Sequence, residues 1–325
     1  MTDASEQSGL SGERFHCRLD DLPAHLVPHG RGWRNSPADR EELLFLNPHF
    51  GITTGCEIPW SLPGGTPAGF ALPATVAWVG DATAGDLKPF WLGQELESML
   101  AGRRSGDPAP SALTPEMRGM LACAEVLVPM NYPAVRVAQR EGMLSDCARI
   151  FANSGYAPVA GLIHPFHIAA LRRYYRRLIR KGKMPLGDFQ SANRYVLHNE
   201  SVARFFHQQI TPVLARIIGC PVKPSYVYFA AYLPGAELRK HQDREQCEFS
   251  ITLCLDYSPE PRLATPWPLH LETGSKRVTV FQAIGDGLLY RGRELCHYRD
   301  PLPANCTSTS MFFHYVAEDF AGPLD

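Results

Sequence analysis

The chain has 325 residues, of which 45% are hydrophobic, 20% charged and 10% aromatic, the makeup of a globular protein. Its formal net charge of -1 argues against a general binder of nucleic acid or of an anionic membrane surface, since both need a basic excess. The length exceeds one small core and fits two units, or one large domain with an extension.

The opening MTDASEQSGLSGER is polar and lacks the apolar core of a secretory signal, and no apolar run reaches the ~20 residues of a membrane span. The nine cysteines are scattered and none forms a C-x-x-C pair, so neither a zinc ribbon nor a thioredoxin-like motif is expected. Reduced thiols in a cytoplasmic protein are the expected state.

Residues 1–40 are rich in polar residues, Gly and Pro and read as a mobile N-terminal arm. Residues 41–110 alternate apolar runs (LLFLNPHFGI, GFALPATVAWVG, PFWLGQELESML) with turn clusters. They read as a small unit of short strands closed by a helix near 94–101. GRRSGDPAPSALTPE has Pro, Gly and Ser without periodicity and reads as a linker. The remainder, 116–325, reads as the main domain.

Two helices are expected early in that domain. In HPFHIAALRRYYRRLIRKG, Ile168, Leu171, Tyr175 and Leu178 recur at helical spacing, and Gly182 stops the run. In NESVARFFHQQITPVLARIIG, Asn199 is the expected N-cap, Glu200 lies in the first turn, Pro212 bends the helix and Gly219 ends it. The basic residues Arg172, Arg173, Arg176, Arg177, Arg180, Lys181 and Lys183 read as a solvated helix face.

From Pro221 onward the pattern is β: VKPSYVYFAAYLPG, CEFSITLCLDYS, PLHLETG, RVTVFQAIG, GLLYRG and STSMFFHYV are short runs divided by turn residues. Many short strands at this spacing imply a sandwich, jelly roll or barrel. The fold class expected is α+β.

Within this β region, LRKHQDREQCEFS places His241 and Asp243 two residues apart. On a strand, side chains at that spacing face the same way. His297, in GLLYRGRELCHYRDPLP, supplies a third ligand beside another strand. Two histidines and one carboxylate on one face of an iron(II) ion leave three positions open. His270 and His314 are the other late histidines, and His314 reads as a packed or edge residue.

Over roughly Gly155 to Val316 the chain resembles the Fe(II)/2-oxoglutarate oxygenases. The resemblance rests on GYAPVAGLI ahead of a helix, Tyr232-Leu-Pro-Gly235 ahead of His241-Gln-Asp243, GDGLLYRG ahead of His297, and a polar strand ending in FFHYV. It implies a double-stranded β-helix (a jelly roll) flanked by helices, an Fe(2+) ion held by His241, Asp243 and His297, and 2-oxoglutarate and O2 as cosubstrates. The expected reaction is hydroxylation of an unactivated C–H bond in a small-molecule or peptide substrate.

The family pattern often places an arginine on the strand after the distal histidine, to bind the far carboxylate of 2-oxoglutarate. Here that place falls near Thr307 in PANCTSTSMFF, which has no basic residue. Arg299 is the first candidate for this anchor, because it shares the strand face of His297. Arg293 is the second, with Tyr232, Thr307 and Thr309 as hydroxyl donors, and Trp267 and Tyr290 are expected to line the pocket. Two other readings fit the same residues: an iron oxygenase that does not use 2-oxoglutarate, and a non-catalytic jelly-roll binding protein.

Overall fold

A computed structural model describes residues 11–16, 43–48, 50–54, 75–80, 87–92, 94–123, 126–130, 132–159, 162–163, 165–261, 264–274 and 276–325. The rest of the arm expected over 1–40 lies outside the described residues. Its segment β1 (Ser11–His16) is not a loose tether, because it pairs in parallel along β13 (Lys276–Phe281) and covers that strand's edge.

The N-terminal region forms β2 (Leu44–Leu46), then a three-stranded antiparallel sheet of β3 (Phe50–Thr54), β4 (Thr75–Gly80) and β5 (Leu87–Leu92). The helix α1 (Gln94–Leu100) follows, as expected. The boundary expected at 110–116 does not coincide with a break in packing. Leu113, Leu121, Val126 and Leu127 join Leu44, Leu46, Phe50 and Leu100 in one buried cluster. They arrive on α2 (Pro115–Cys123) and β6 (Leu127–Pro129), and β6 pairs with β2. The presumed linker is tied down as well: Leu46 N donates to the Asp107 carbonyl and Ala109 N to that of Leu44. Composition cannot show this, since backbone bonds leave no mark on residue type.

The helix α3 (Tyr132–Ser154) has no counterpart in the sequence expectations. Its buried residues Leu144, Cys147 and Phe151 fall at helical spacing, but its apolar stripe is narrow. The helices α4 (Pro165–Arg180) and α5 (Ser201–Ile218) lie where expected. Gly219 ends α5 in the left-handed region (φ 86°), as its position implies.

The N-cap of α5 is Glu200 rather than Asn199: its carboxylate accepts from Val202 N and Ala203 N, both at 3.1 Å. Asn199 takes φ +50° and turns its side-chain oxygen toward Val227 N instead. Tyr174 and Tyr175 of α4 also donate to Glu200, at 3.0 and 2.8 Å, so one carboxylate joins both helices. The basic face of α4 is partly engaged: Arg172 and Arg176 both bond to Asp256, at 2.9 and 2.7 Å.

Two sheets make up the rest. The larger is six-stranded and antiparallel, in the order β7 (Tyr156–Val159), β14 (Gly287–Arg291), β11 (Phe249–Ser258), β16 (Thr307–Ala317), β9 (Val222–Tyr232) and β8 (Arg194–His198). Its outer face carries Ile251, Leu253, Phe229 and Phe313 into the main cluster with the helices, where Tyr175 stacks on Phe229 at 4.0 Å. The smaller sheet runs β1, β13, β12 (Leu269–Thr273), β15 (Cys296–Arg299) and β10 (Leu238–His241).

Leu238, Leu269, Leu271, Val278 and Val280 from the smaller sheet meet Leu288 and Tyr290 from the larger one in a third cluster. Each such buried side chain stabilises the packing by about 1.5–3 kcal/mol. Polar residues on the larger sheet's inner face, Ser250 and Thr252 of β11 and His314 of β16, are therefore enclosed between strands.

Candidate metal centre

His241 ends β10 and stands opposite His297 of β15 in the antiparallel ladder, with ring centroids 4.3 Å apart. The register of β10 shifts between Leu238 and His241, a bulge that turns the end of the strand. Both rings are oriented by the same local device. Nδ1 of His241 meets the Arg239 carbonyl at 2.7 Å, and Nδ1 of His297 meets the Leu295 carbonyl at 3.0 Å. A carbonyl only accepts, so in the neutral ring the proton sits on Nδ1 and the lone pair on Nε2.

Both Nε2 atoms point to one oxygen. Asp243 Oδ1 lies 3.5 Å from His297 Nε2 and 3.7 Å from His241 Nε2. The carboxylate does not get there by strand alternation, because β10 stops at His241 and Asp243 lies in the chain beyond it. Asp243 N donates to the Gly292 carbonyl at 2.9 Å, and this bond fixes its direction. The two side chains come together by a different route from the strand alternation that their spacing implies.

The ligand atoms of the three residues all lie within 4.8 Å of one another, so the group could hold a metal ion. Separations of 3.5–3.7 Å suit neighbouring ligands on one first-row ion, whose bonds to nitrogen and oxygen run to about 2.0–2.2 Å. The protonation states agree. Burial and the neighbouring His297 lower the pKa of His241, leaving a neutral imidazole at pH 7. Burial pushes the Asp243 carboxyl up, but His297, His314 and the Ser250 hydroxyl outweigh it and bring it to about 2. The carboxylate is therefore ionised at neutral pH.

A second trio, Asp243, Cys247 and His314, also has its ligand atoms within 4.8 Å. It suits a metal less well. Burial, then the Asp243 charge, pushes the Cys247 thiol up to about 12, and its sulfur already meets the Tyr226 hydroxyl at 2.9 Å. Asp243 and His314 are both engaged by Ser250, whose Oγ lies 2.8 Å from Asp243 Oδ2 and 2.9 Å from His314 Nδ1.

Close approach at Asp243 requires glycine at 292. A Cβ there would fall on Asp243 Oδ2 and the Cys247 carbonyl, and would come within 2.8 Å of Ser250 Oγ. The sequence carries this as the last residue of GLLYRG. Ser250 and His314 have no such signal, since each meets Asp243 only through the folded sheet. Tyr290, expected in the pocket lining, packs its ring 4.9 Å from that of His297.

Arg299 is buried on the same face of β15 as His297. It donates to the Trp267 carbonyl and, at 3.1 Å, to Gln282 Oε1, with its guanidinium 4.8 Å over the Trp267 ring. Gln282 in turn donates to the Thr252 carbonyl at 2.9 Å. The Thr252 hydroxyl is buried and has no hydrogen-bond partner. Tyr232 is buried too, but its hydroxyl accepts from Arg194, at 3.3 Å, and its ring meets Trp267. Arg194 is already neutralised by Asp188 at 2.6 Å.

The structure does not bring the other anchor candidates to the three-residue group. Arg293 is exposed in the turn after Gly292, and Thr307 is exposed at the start of β16. Thr309 pairs with Asp256, which bonds to α4 on the helix side of the sheet. Ser308 and Ser310, with His314 further along, are the buried polar residues on that strand. His270 pairs with Tyr298, so it faces away from the group, and binds Asp300 at 3.2 Å.

No protein-family model matches the sequence, and no curated protein is similar to it. Fe(II)/2-oxoglutarate oxygenases recur among the solved structures that this chain resembles. A Trichoplax adhaerens prolyl hydroxylase, in complex with a hypoxia-inducible-factor peptide, aligns with 56% of this chain and 93% of its own, at 12% identity and a TM-score of 0.48. SnoN, an α-ketoglutarate-dependent epimerase of nogalamycin biosynthesis, aligns with 55% of this chain and 82% of its own, at 15% identity and a TM-score of 0.46. A Pseudomonas putida prolyl-4-hydroxylase aligns with 54% of this chain and 99% of its own, at 17% identity and a TM-score of 0.44. Likeness at these levels carries neither activity nor substrate to this chain.

Proposed function

We propose that this chain is an Fe(II)- and 2-oxoglutarate-dependent oxygenase with a double-stranded β-helix core, which hydroxylates an unactivated C–H bond of a metabolite or peptide. The observation that carries the reading is the convergence of His241 Nε2 and His297 Nε2 on Asp243 Oδ1, at 3.7 and 3.5 Å. Two imidazoles and one carboxylate on one side are the donor set of non-heme iron(II) oxygenases.

The residues present also fit the cosubstrate. A dianion in an enclosed pocket needs cationic and hydroxyl partners. Arg299, buried two residues after His297, is our assignment for the distal carboxylate, with the unpartnered Thr252 hydroxyl as a second donor. Tyr290 and Trp267 supply the apolar walls that exclude water. Bound iron would supply O2 activation driven by decarboxylation of 2-oxoglutarate.

The protein's own tasks are to hold the ligand triad, orient the cosubstrate and keep the reacting volume dry. Cys147, Cys220, Cys247, Cys254, Cys296 and Cys306 are free thiols, which suits a reducing cytoplasm. The 41–110 region and the 116–325 domain are then parts of one oxygenase.

Incubation with Fe(II), 2-oxoglutarate and O2 tests the reading. Succinate should form in amounts that follow 2-oxoglutarate loss and should vanish in Asp243→Ala. Oxygen consumption that needs a substrate but not 2-oxoglutarate would replace it with the alternative iron oxygenase.

A further inference from the structure

The two oxygens of Asp243 have different surroundings. Oδ1 faces the two histidine Nε2 atoms, and Oδ2 lies 2.8 Å from Ser250 Oγ. The torsion that turns a carboxylate is soft and roughly two-fold, so Asp243 needs an external constraint to keep one oxygen toward the histidines. We propose that Ser250 and His314 are positioning residues that lock this carboxylate, with Oδ1 presented to the metal and Oδ2 held back.

Proton counting supports the direction of the chain. A carboxylate only accepts, so the Ser250 hydroxyl spends its single proton on Oδ2. Its oxygen must then accept at the other contact, which requires the proton of His314 to sit on Nδ1, 2.9 Å away. The relay therefore runs from His314 Nδ1–H to Ser250 Oγ–H to Asp243 Oδ2.

His314 is itself held in place. Its ring packs 4.5 Å from that of Tyr226, and its carbonyl accepts from His207 Nε2 at 2.9 Å. Ser250 and His314 are also in direct register between β11 and β16, so the ladder sets their separation. Gly292 completes the lock, because its missing side chain leaves Oδ2 room to reach Ser250. The second trio of metal-ligating residues, Asp243, Cys247 and His314, is on this account a support around Asp243 and not a rival metal site.

This inference rests on the metal-site reading, and the test separates the two. The full-length protein is titrated with Co(II) alone, by calorimetry and by visible absorption, after metal-free melting has shown each variant to be folded. Wild type should bind one ion, and Asp243→Ala none. Partners that orient a ligand typically change metal affinity by about ten- to a hundredfold, so Ser250→Ala should weaken Co(II) binding by that factor and alter its spectrum.

His314→Leu should weaken binding in the same direction. His314→Asn, which places an amide donor near the Nδ1 position, should recover most of the loss. The Ser250→Ala/His314→Leu double variant should bind no worse than Ser250→Ala, because the two residues act in series. Wild-type affinity and spectrum in Ser250→Ala would overturn the inference, as would additive losses in the double variant. No Co(II) binding by wild type would instead remove the metal-site reading beneath it.

Discussion

Opposite residues of the β10–β15 ladder, His241 and His297, present their Nε2 atoms to a single oxygen of Asp243. Each histidine is fixed by the carbonyl two residues earlier in the chain, so the pair is preformed by backbone geometry. Alanine at His241, Asp243 or His297 should therefore abolish Fe(II) binding and leave the metal-free fold largely unchanged. His270→Ala, on the opposite face of its strand, should bind iron normally. Calorimetric titration checks both, and iron binding that survives Asp243→Ala would remove this site.

Gly292→Ala places a methyl on Asp243 Oδ2 and the Cys247 carbonyl. The Cys247 carbonyl is backbone and the Asp243 carboxylate is held by Ser250, so neither gives way cheaply, and overpacking of this kind costs about 1–3 kcal/mol. The variant should melt lower and bind metal far more weakly than wild type. A variant with normal metal affinity would show that Asp243 does not need the close approach.

Sequence and structure agree unevenly, and the reasons are physical. The three side chains that converge stand out in HQD and in the later histidine, because each belongs to a residue type able to hold a metal. The route by which Asp243 reaches the site is not legible, since it depends on a backbone bond to Gly292 and a bulge in β10. Ser250 and His314 are ordinary β-strand residues until the ladder puts them side by side. The cap of α5 is misassigned from sequence because Asn outranks Glu locally, whereas Tyr174 and Tyr175 hold Glu200 at the helix end. The anchor on β16 shows the limit of counting. Thr307 and Thr309 are off the inner face, while Ser308 and Ser310 are buried.

Stability should fall in acid for a specific reason. Burial lowers the pKa of His207 from 6.5 to about 3, against the opposing effect of its bond to the His314 carbonyl. Burial likewise lowers His314 to about 4. These histidines are neutral when folded, so the unfolded chain takes up protons that the native state refuses. Their contribution is full above about 6.5 and is lost as pH falls from there toward 4 and 3. Each can add up to about 1.4 kcal/mol per pH unit in that window. His207→Gln keeps a side-chain N–H and removes one titration, so denaturant melts of the metal-free protein should show a shallower acid limb. An unchanged slope would contradict this.

Arg299→Leu should raise the apparent KM for 2-oxoglutarate by about ten- to a hundredfold, since a charge-assisted bond contributes about 1.5–3 kcal/mol. Arg299→Lys keeps the charge and loses the forked geometry, and should fall between. The Leu variant should also melt lower, because the Trp267 carbonyl and Gln282 Oε1 lose their donor. Fe(II) affinity should hardly move. Steady-state assays across 2-oxoglutarate concentrations decide it, and an unchanged KM would remove Arg299 as the anchor.

The most direct test of the central claim needs no knowledge of the substrate. Binding of 2-oxoglutarate is measured by calorimetry on protein loaded with Ni(II), a stand-in for iron that does not turn over, and on metal-free protein. One 2-oxoglutarate should bind tightly to each Ni(II)-loaded chain, weakly or not at all to the metal-free chain, and not to Asp243→Ala. Ni(II) binding with no 2-oxoglutarate binding, or equal 2-oxoglutarate binding with and without the metal, would contradict the account.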